Sequence, residues 1–532
     1  MAREWSQGGV AGRLYVLLMA SFVVAGIVMR TRGVLSFTFW LDECSWASFL
    51  MEKPLEELLI RPIGFMASSK ALASLFGASV GVLRAIPWTA GVATVLLSPF
   101  LAERLFAGRA ARLLFVGALA TNSEAVNYAK EFKPYALGLS LHCAVLFLVL
   151  RYFETPRAKT LLVALVVAVA AVLFTQDMVF AYPGTLLALT TFAWKRGRRR
   201  ELVAIVVAGA TALSLVVVQY VLIWSKIGGG ESAYWGDRYD VFFTAKHGGS
   251  HLSWFVEKYL DTVSFPSVTR LEWQSSFLSR EALARLASAY EWCFIGLHAA
   301  GVAFLIRTRR GRLALLLITP IVTMAALNWV GMWPFGAFRT NLFSATYSTA
   351  LAALALDWPL HSAGALARLR DARASAAAGF APALVLVVAP VILFYDGWTH
   401  IAHGAARAVR MPEIVAELVR LQGPGAPPRP EPLILDGMHC DAWNYYTKYN
   451  PGVVARFGPE LARRFDAECC DTDRAAVRAL EKVASGDRVF NLFVPQFVRR
   501  SPAYHRMLAR RFEVEKRDSV EASTAVVARR LP

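Results

Sequence analysis

Two adjacent carboxylates, in the stretch Trp40-Leu41-Asp42-Glu43, follow the first long apolar run of the chain. Charged groups at a membrane boundary are costly to place there and mark function more often than packing. A carboxylate in such a position suits a general base acting on an incoming hydroxyl. A second group lies in Tyr128-Ala129-Lys130-Glu131-Phe132-Lys133-Pro134-Tyr135, where an acid stands between two lysines. On a helical turn Lys130 and Lys133 share a face, and two cations beside an acid suit a departing phosphate. A third is Trp333-Pro334-Phe335-Gly336-Ala337-Phe338-Arg339-Thr340-Asn341-Leu342-Phe343, in which Arg339 heads an apolar helix. Its planar fork fits phosphate oxygens, and a helix N-terminus adds favourable partial charge. Gln176-Asp177, in a short turn, reads as a cap on the helix that follows.

Each group also has a plainer reading. Asp42 and Glu43 could cap a helix or pair with Arg30, Arg32 or Arg61. The lysines could snorkel to an interface, and Arg339 could pair with Asp42, Glu43 or Glu131.

The elements that must position these residues are membrane helices. Of 532 residues, 56% are hydrophobic, and mean hydropathy is +0.43, beyond the usual range of soluble chains. A spanning helix needs about 20 apolar residues, and runs of roughly that kind fall at 14–34, 80–101, 111–126, 134–152, 160–175, 177–194, 202–224, 288–306, 313–331, 339–357 and 379–396, about eleven spans. Basic residues crowd alternate loops, among them Arg104, Arg109 and Arg112, then Lys195 with Arg196, Arg198, Arg199 and Arg200, then Arg307, Arg309, Arg310 and Arg312. By the positive-inside rule those loops and the N-terminus are cytoplasmic. Much of the net charge of +18 therefore records topology, and nucleic-acid binding is a poor account of it. The opposite face carries residues 35–79, the Lys130–Lys133 turn, the loop 225–287 and the tail, so the acids and the tail share one side.

The first span lacks a cleavage pattern after it and reads as a retained anchor. Residues 35–79 read as short helices at the membrane surface. The loop 225–287, rich in aromatics such as Tyr234, Trp235, Tyr239, Trp254 and Trp273, reads as a partly ordered cap. The proline-rich stretch near Pro427-Pro428 marks a loop, after which Pro432–Leu435, Arg488–Val494 and Ala522–Arg529 predict strands and Ala475–Ala484 a helix. That alternation predicts a small three-layer α/β domain over 398–532, following a membrane domain over 1–397. The six cysteines show no zinc spacing. Cys440, Cys469 and Cys470 lie in the tail, where a disulfide is permitted but its pairing is open. In the tail, Asp436, His439 and Asp441 are too few for a metal centre, and Tyr445-Tyr446 fits helix packing.

The order, side and spacing of the three motifs resemble those of the GT-C glycosyltransferases, in the bacterial branch similar to protein O-mannosyltransferases and lipid A aminoarabinose transferases. The resemblance covers approximately residues 10–400. It implies an integral membrane enzyme of the bacterial inner membrane, with a cytoplasmic N-terminus and a periplasmic C-terminal domain. It implies a polyprenyl-phosphate-linked sugar as donor and a glycan, lipid or protein as acceptor. Asp42 would be the base on the acceptor, with Glu43 orienting acceptor or base. Glu131, Lys130, Lys133 and Tyr135 would line the cavity, Lys133 near the phosphate, and Arg339 would hold the donor phosphate. The segment after Glu43 departs from the pattern, having only Arg61-Pro62 where a Lys-Pro-Pro-type stretch is expected. No cofactor is required, although Asp42, Glu43 and Glu131 could hold one divalent cation. The rival readings are a polytopic transporter or flippase of lipid-linked saccharide, a non-catalytic scaffold with an exterior binding domain, and an oligosaccharide ligase of another fold. The transporter reading is weakened by the lack of paired Gly/Pro-broken helices in two halves.

Overall fold

The computed structural model describes residues 9–35, 38–54, 57–221, 251–264, 280–336, 338–357, 411–422, 429–451, 453–455, 461, 464–470, 473–484, 487–493, 502–520 and 523–531. The expected span 379–396 and most of the loop 225–287 lie outside them. The chain divides into two compact units. The first comprises residues 1–32, 59–65 and 86–402; the second comprises 33–58, 66–85 and 403–532.

Apolar sequence makes the first unit. Its helices are α1 (Gly9–Thr31), the greater part of α4 (Val80–Leu105), α5 (Arg109–Thr121), the short α6 (Ser123–Tyr128), α7 (Tyr135–Glu154), α8 (Ala158–Phe174), α9 (Tyr182–Lys195), α10 (Arg199–Gln219), α11 (His251–Ser264), α12 (Arg280–Arg307), α13 (Gly311–Trp329) and α14 (Ser344–Leu354). Helices α2 (Leu41–Glu52) and α3 (Ile63–Phe76) lie between α1 and α4 in the chain. Among the described residues five segments are long and apolar enough to cross a membrane: Gly12–Thr31, Val80–Leu105, Tyr135–Glu154, Arg199–Gln219 and Gly311–Trp329. Ile63–Phe76 and Ala158–Phe174 are apolar but shorter. Leu162, Val166, Val203, Val206 and Val207 are exposed on the outside of α8 and α10, while Leu161, Leu165 and Ile205 of the same helices are buried. Apolar surface on that scale is at home against lipid. The chain is an integral membrane protein.

Three expected spans are interrupted. The run 111–126 stops at Thr121, where Asn122 ends α5 and accepts the Ala125 N–H at 2.8 Å to cap α6. The run 177–194 becomes a 3₁₀ turn, Gln176–Phe180, before α9 begins at Tyr182 with Pro183 in its first turn. The run 339–357 opens as a 3₁₀ turn, Arg339–Asn341, and becomes α-helical only at Ser344. Each break lies beside a motif residue, because polar side chains near those ends compete for the backbone.

Close approach of backbones holds the bundle. A Cβ on Gly301 of α12 would lie 1.8 Å from the Leu351 carbonyl oxygen of α14, and one on Gly184 of α9 would lie 2.2 Å from the Leu315 carbonyl oxygen of α13. Small residues at such crossings let membrane helices pack.

In the second unit, α15 (Met411–Gln422) precedes a five-stranded sheet of order β2-β1-β3-β5-β4. Strand β1 (Glu431–Leu435) runs parallel to β2 (Phe465–Cys469) and β3 (Arg488–Phe493); β5 (Ser523–Arg530) runs antiparallel to β3 and to β4 (Phe512–Val520). Leu433, Ile434 and Leu435 are all buried, as a strand covered on both faces requires. Helices α17 (Asp473–Lys482) and α18 (Pro502–Arg511) cover one face through Ala476, Ala479, Leu480 and Tyr504. Helix α16 (Gly437–Asn444) sets Trp443 edge-on to Phe465, with ring centroids 6.1 Å apart. Three of these strands match the expected positions; β2 and β4 are additions. A disulfide joins Cys440 of α16 to Cys469 of β2, and Cys470 remains a buried thiol.

The glycine crossing is testable. Gly301→Ala forces a Cβ against a helix backbone and should lower stability by about 1–3 kcal/mol. Gly296→Ala on the same helix meets nothing within 4 Å and should be neutral or slightly stabilising. Thermal unfolding of the detergent-solubilised protein separates the two.

Candidate active site

The second unit holds Asp42 and Glu43 on the first turn of α2. Asp42 is half-buried, while Glu43 is fully buried and clamped. Its two oxygens accept from Arg84, Oε1 from Nε at 2.9 Å and Oε2 from Nη2 at 2.6 Å. Oε2 also accepts the Trp40 N–H at 3.3 Å, which ties the helix start to its own third residue. Arg84 further donates to the carbonyls of Val34 at 3.3 Å and Thr38 at 3.2 Å, and its guanidinium lies 5.0 Å from the Phe39 ring centroid. One arginine thus gathers Val34, Thr38, Phe39 and Glu43. The pairing partners considered from sequence, Arg30, Arg32 and Arg61, do not include it.

Cys44 is buried beside this clamp. Burial holds its thiol well above the usual range; the Glu43 charge pushes the same way and Arg84 opposes it, with smaller upward pushes from Asp441 and Asp42. The thiol therefore stays protonated and unreactive at neutral pH.

The first unit holds the cationic groups. Helix α6 ends at Tyr128, and the six residues to Pro134 form a turn closed by the Lys130 N–H on the Asn127 carbonyl at 2.9 Å and the Lys133 N–H on the Glu131 carbonyl at 2.7 Å. The helical spacing expected for Lys130 and Lys133 therefore does not apply: the i−2 bond at Lys133 is that of a γ-turn. Both lysines are buried nonetheless, Lys133 to 1% exposure, while Glu131 and Tyr135 are half-buried. The turn is seated tightly. A Cβ on Gly91 of α4 would lie 2.4 Å from the Ala129 Cβ. The buried Arg30 donates to the carbonyls of Leu119 at 2.9 Å and Ala120 at 2.6 Å, at the end of α5, which α6 separates from the turn.

Arg339 begins its 3₁₀ turn within a hydrogen-bonded loop. Asn341 donates to the carbonyls of Pro334 at 3.0 Å and Gly336 at 2.9 Å and accepts from the Trp333 indole at 2.7 Å. Gly336 has φ +123°, open to glycine and strained for other residues. The half-buried Arg339 guanidinium lies 5.9 Å from the Tyr135 ring centroid, which joins the second and third motifs. Tyr135 in turn packs edge-on against Tyr128 at 5.3 Å.

Asp177 is not a helix cap. The residue before α9 is Ala181, and Asp177 is buried in the bundle, accepting the Thr175 hydroxyl at 2.5 Å and standing 3.5 Å from His142 Nε2. His142 Nδ1 meets the Tyr347 hydroxyl at 2.7 Å, and its ring stacks on Phe343 at 4.7 Å. A Cβ on Gly138 would fall 2.2 Å from Asp177 Oδ2, so the acid reaches this place only across a glycine. The network ties α7, the turn at Asp177 and α14, and so fixes the segment that presents Arg339.

The residues that sequence reasoning missed, Arg84 and His142, share one signal with Arg30, whose partners are backbone carbonyls and not the acidic pair: a lone polar or charged side chain within an apolar helix demands a partner. Among the described residues no three His, Cys, Asp or Glu side chains converge as metal ligands. Both Glu43 oxygens are committed to Arg84, so Glu43 does not suit the role of ligand to a divalent ion.

Residues 61–224 match the family model described as dolichyl-phosphate-mannose-protein mannosyltransferase, a match that opens at Arg61-Pro62 and takes in the Lys130–Tyr135 turn. Comparison with curated proteins finds no match. Among solved structures the chain is similar to ArnT from Cupriavidus metallidurans bound to undecaprenyl phosphate, at 14% identity over 98% of each chain with a TM-score of 0.53. The same protein in the apo state matches at 14% identity over 98% of each chain with a TM-score of 0.50. At that identity the likeness is one of fold. The chain has the expected GT-C-like architecture: a polytopic helical membrane protein with a small C-terminal α/β sheet region.

The clamp yields a double-variant test. Arg84→Met leaves Glu43 buried without its counter-ion, a loss of about 3–5 kcal/mol, whereas Glu43→Gln with Arg84→Met removes both charges and should recover much of it. Thermal midpoints of the three forms, with proteolysis mapped over 33–58, measure this; equal midpoints for the single and double variants would refute the clamp.

Proposed function

We propose that the protein is a glycosyltransferase that moves a sugar from a polyprenyl-phosphate donor to an acceptor on the exterior face of the membrane. The observation that carries this reading is the pairing of Arg339 with Tyr135, beside a turn that buries Lys130 and Lys133, in a chain of this fold. Cations gathered in one unit of a membrane protein suit an anionic ligand, and a lipid-linked phosphate is an anion that a membrane supplies. The family match over 61–224 and the undecaprenyl phosphate bound to the ArnT structure support that choice of donor.

Asp42 is the general base. It takes the proton from the acceptor hydroxyl as that oxygen forms its bond to the anomeric carbon. The bond from that carbon to the phosphate oxygen breaks, and its electron pair leaves with the phosphate, which Lys133 and Arg339 stabilise. One displacement inverts the anomeric centre. Glu43 acts through Arg84, holding the first turn of α2 so that Asp42 is correctly aimed. Glu131, Lys130 and Tyr135 line the donor cavity. The scheme uses no cofactor.

The alternating basic loops support a cytoplasmic N-terminus and an exterior 398–532 domain; the bacterial inner membrane, with that domain periplasmic, follows from the resemblance alone. The acceptor is a glycan, lipid or protein carrying a hydroxyl.

Asp42→Asn should lower sugar transfer from a radiolabelled polyprenyl-phosphate sugar by ~10²–10⁴ while donor binding persists. Equal transfer by variant and wild type would remove Asp42 from the mechanism. Arg339→Gln should act on the other substrate: charge-assisted phosphate contacts are worth about 1.5–3 kcal/mol, a loss of at least tenfold in donor affinity. Titration with the unlabelled donor checks it, and an unchanged donor affinity would remove Arg339 from the phosphate.

A further inference from the structure

Helix α16 runs into a π-helical turn, Tyr445–Tyr449, of the kind that marks functional sites. Its first two side chains are fully buried. The Tyr446 hydroxyl accepts the Phe39 N–H at 2.7 Å, and the Tyr445 hydroxyl donates to the Ala78 carbonyl at 2.7 Å. The Phe39 ring packs at 5.0 Å on Tyr445, which packs at 4.9 Å on Tyr446. Phe39 immediately precedes Trp40, the cap of the helix that carries Asp42 and Glu43. The backbone leading into Asp42 is thus fixed by Tyr446, with the Arg84 guanidinium also packed on the Phe39 ring.

The support behind Tyr446 is continuous with the sheet. Asp436 caps α16 by accepting the His439 N–H at 2.8 Å, and the buried His439 ring meets the same oxygen at 2.9 Å. The Cys440–Cys469 disulfide then joins α16 to β2. Burial pushes the Tyr446 hydroxyl well above its usual range, so it stays neutral over the working pH.

We propose that Tyr446 is a positioning residue for Asp42, and that the C-terminal domain serves catalysis by holding the carboxylate helix through this tyrosine. The proposal rests on Asp42 being the base. It assigns the domain a role in the chemical step that is separate from choosing an acceptor. Removing the hydroxyl strands a buried N–H, loosens the entry to α2 and misaims the carboxylate, with donor contacts untouched.

The test uses the full chain in nanodiscs. Tyr446→Phe keeps the ring and removes the hydroxyl; Tyr504→Phe, at an equally buried tyrosine in the core of the same domain, controls for loss of domain stability. Amide exchange over residues 39–46 and site-resolved alkylation of Cys44 by N-ethylmaleimide report on the helix, and kcat and donor KM report on catalysis. Misplacement of a catalytic group by about 1 Å costs on the order of 10²-fold, so in Tyr446→Phe kcat should fall by about ten- to a hundredfold with donor KM unchanged. Exchange and Cys44 labelling should rise in that variant and not in Tyr504→Phe. Wild-type protection in Tyr446→Phe, equal loosening in both variants, or loosening without a change in kcat would each overturn the proposal. Absence of transfer in wild type would count against the enzyme reading, while exchange and labelling still decide the tyrosine contact.

Discussion

The buried pair of Glu43 and Arg84 is the constraint on which the presentation of Asp42 depends. Two charges in a low-dielectric place persist only if each satisfies the other with good geometry. Here the guanidinium meets that demand with Nε and Nη2 on one carboxylate, Nη2 also on the Thr38 carbonyl, Nη1 on the Val34 carbonyl, and the guanidinium packed on the Phe39 ring. Because Glu43 is locked inward, its neighbour Asp42, a helical step of about 100° away, is directed elsewhere. An acidic pair that looks like two equivalent groups becomes one fully buried, clamped carboxylate and one half-buried neighbour, and the difference is made by a single arginine 41 residues away.

The cationic side is built on another principle. Lys133 and Arg339 sit on turns, not within helices, and each turn is fixed by neighbours that leave it little freedom. Arg30 fastens the end of α5, Asn122 restarts the chain as α6, and Gly91 lets the turn come close. Asn341 bonds the loop before α14, while the Asp177–His142–Tyr347 network fixes the helix behind it. Rigid helices thereby hold irregular backbone at the places where charge is needed, the arrangement that membrane proteins permit where such backbone is buried.

How much of this was legible depends on whether a feature is local. Long apolar runs such as 202–224 and 313–331 lie on the helices Arg199–Gln219 and Gly311–Trp329, since hydropathy over about 20 residues needs no partner to be read. Pro432–Leu435 lies on β1, and residues 488–493 of the run Arg488–Val494 lie on β3, for a similar reason: an apolar run between breakers. Strand β4, Phe512–Val520, opens with the alternation Phe512-Glu513-Val514-Glu515 but continues through Lys516, Arg517, Asp518 and Ser519, so its apolar pattern is too short to be read alone. It is a strand because β5 pairs with it. Arg84 and His142 were visible as letters, yet their partners at 43 and 177 follow only from packing. The Cys440–Cys469 pairing, open among three cysteines, is decided by where α16 lies against β2.

The Phe39–Tyr446 hydrogen bond spans 407 residues of chain. During synthesis at about 5–20 residues per second, the N-terminal carboxylate segment emerges roughly 20–80 s before the tyrosine that completes its support exists. A nascent or truncated chain therefore carries the acidic pair without its final brace. The order of translation thus leaves the entry to α2 unbraced until the C-terminal sheet region is being made.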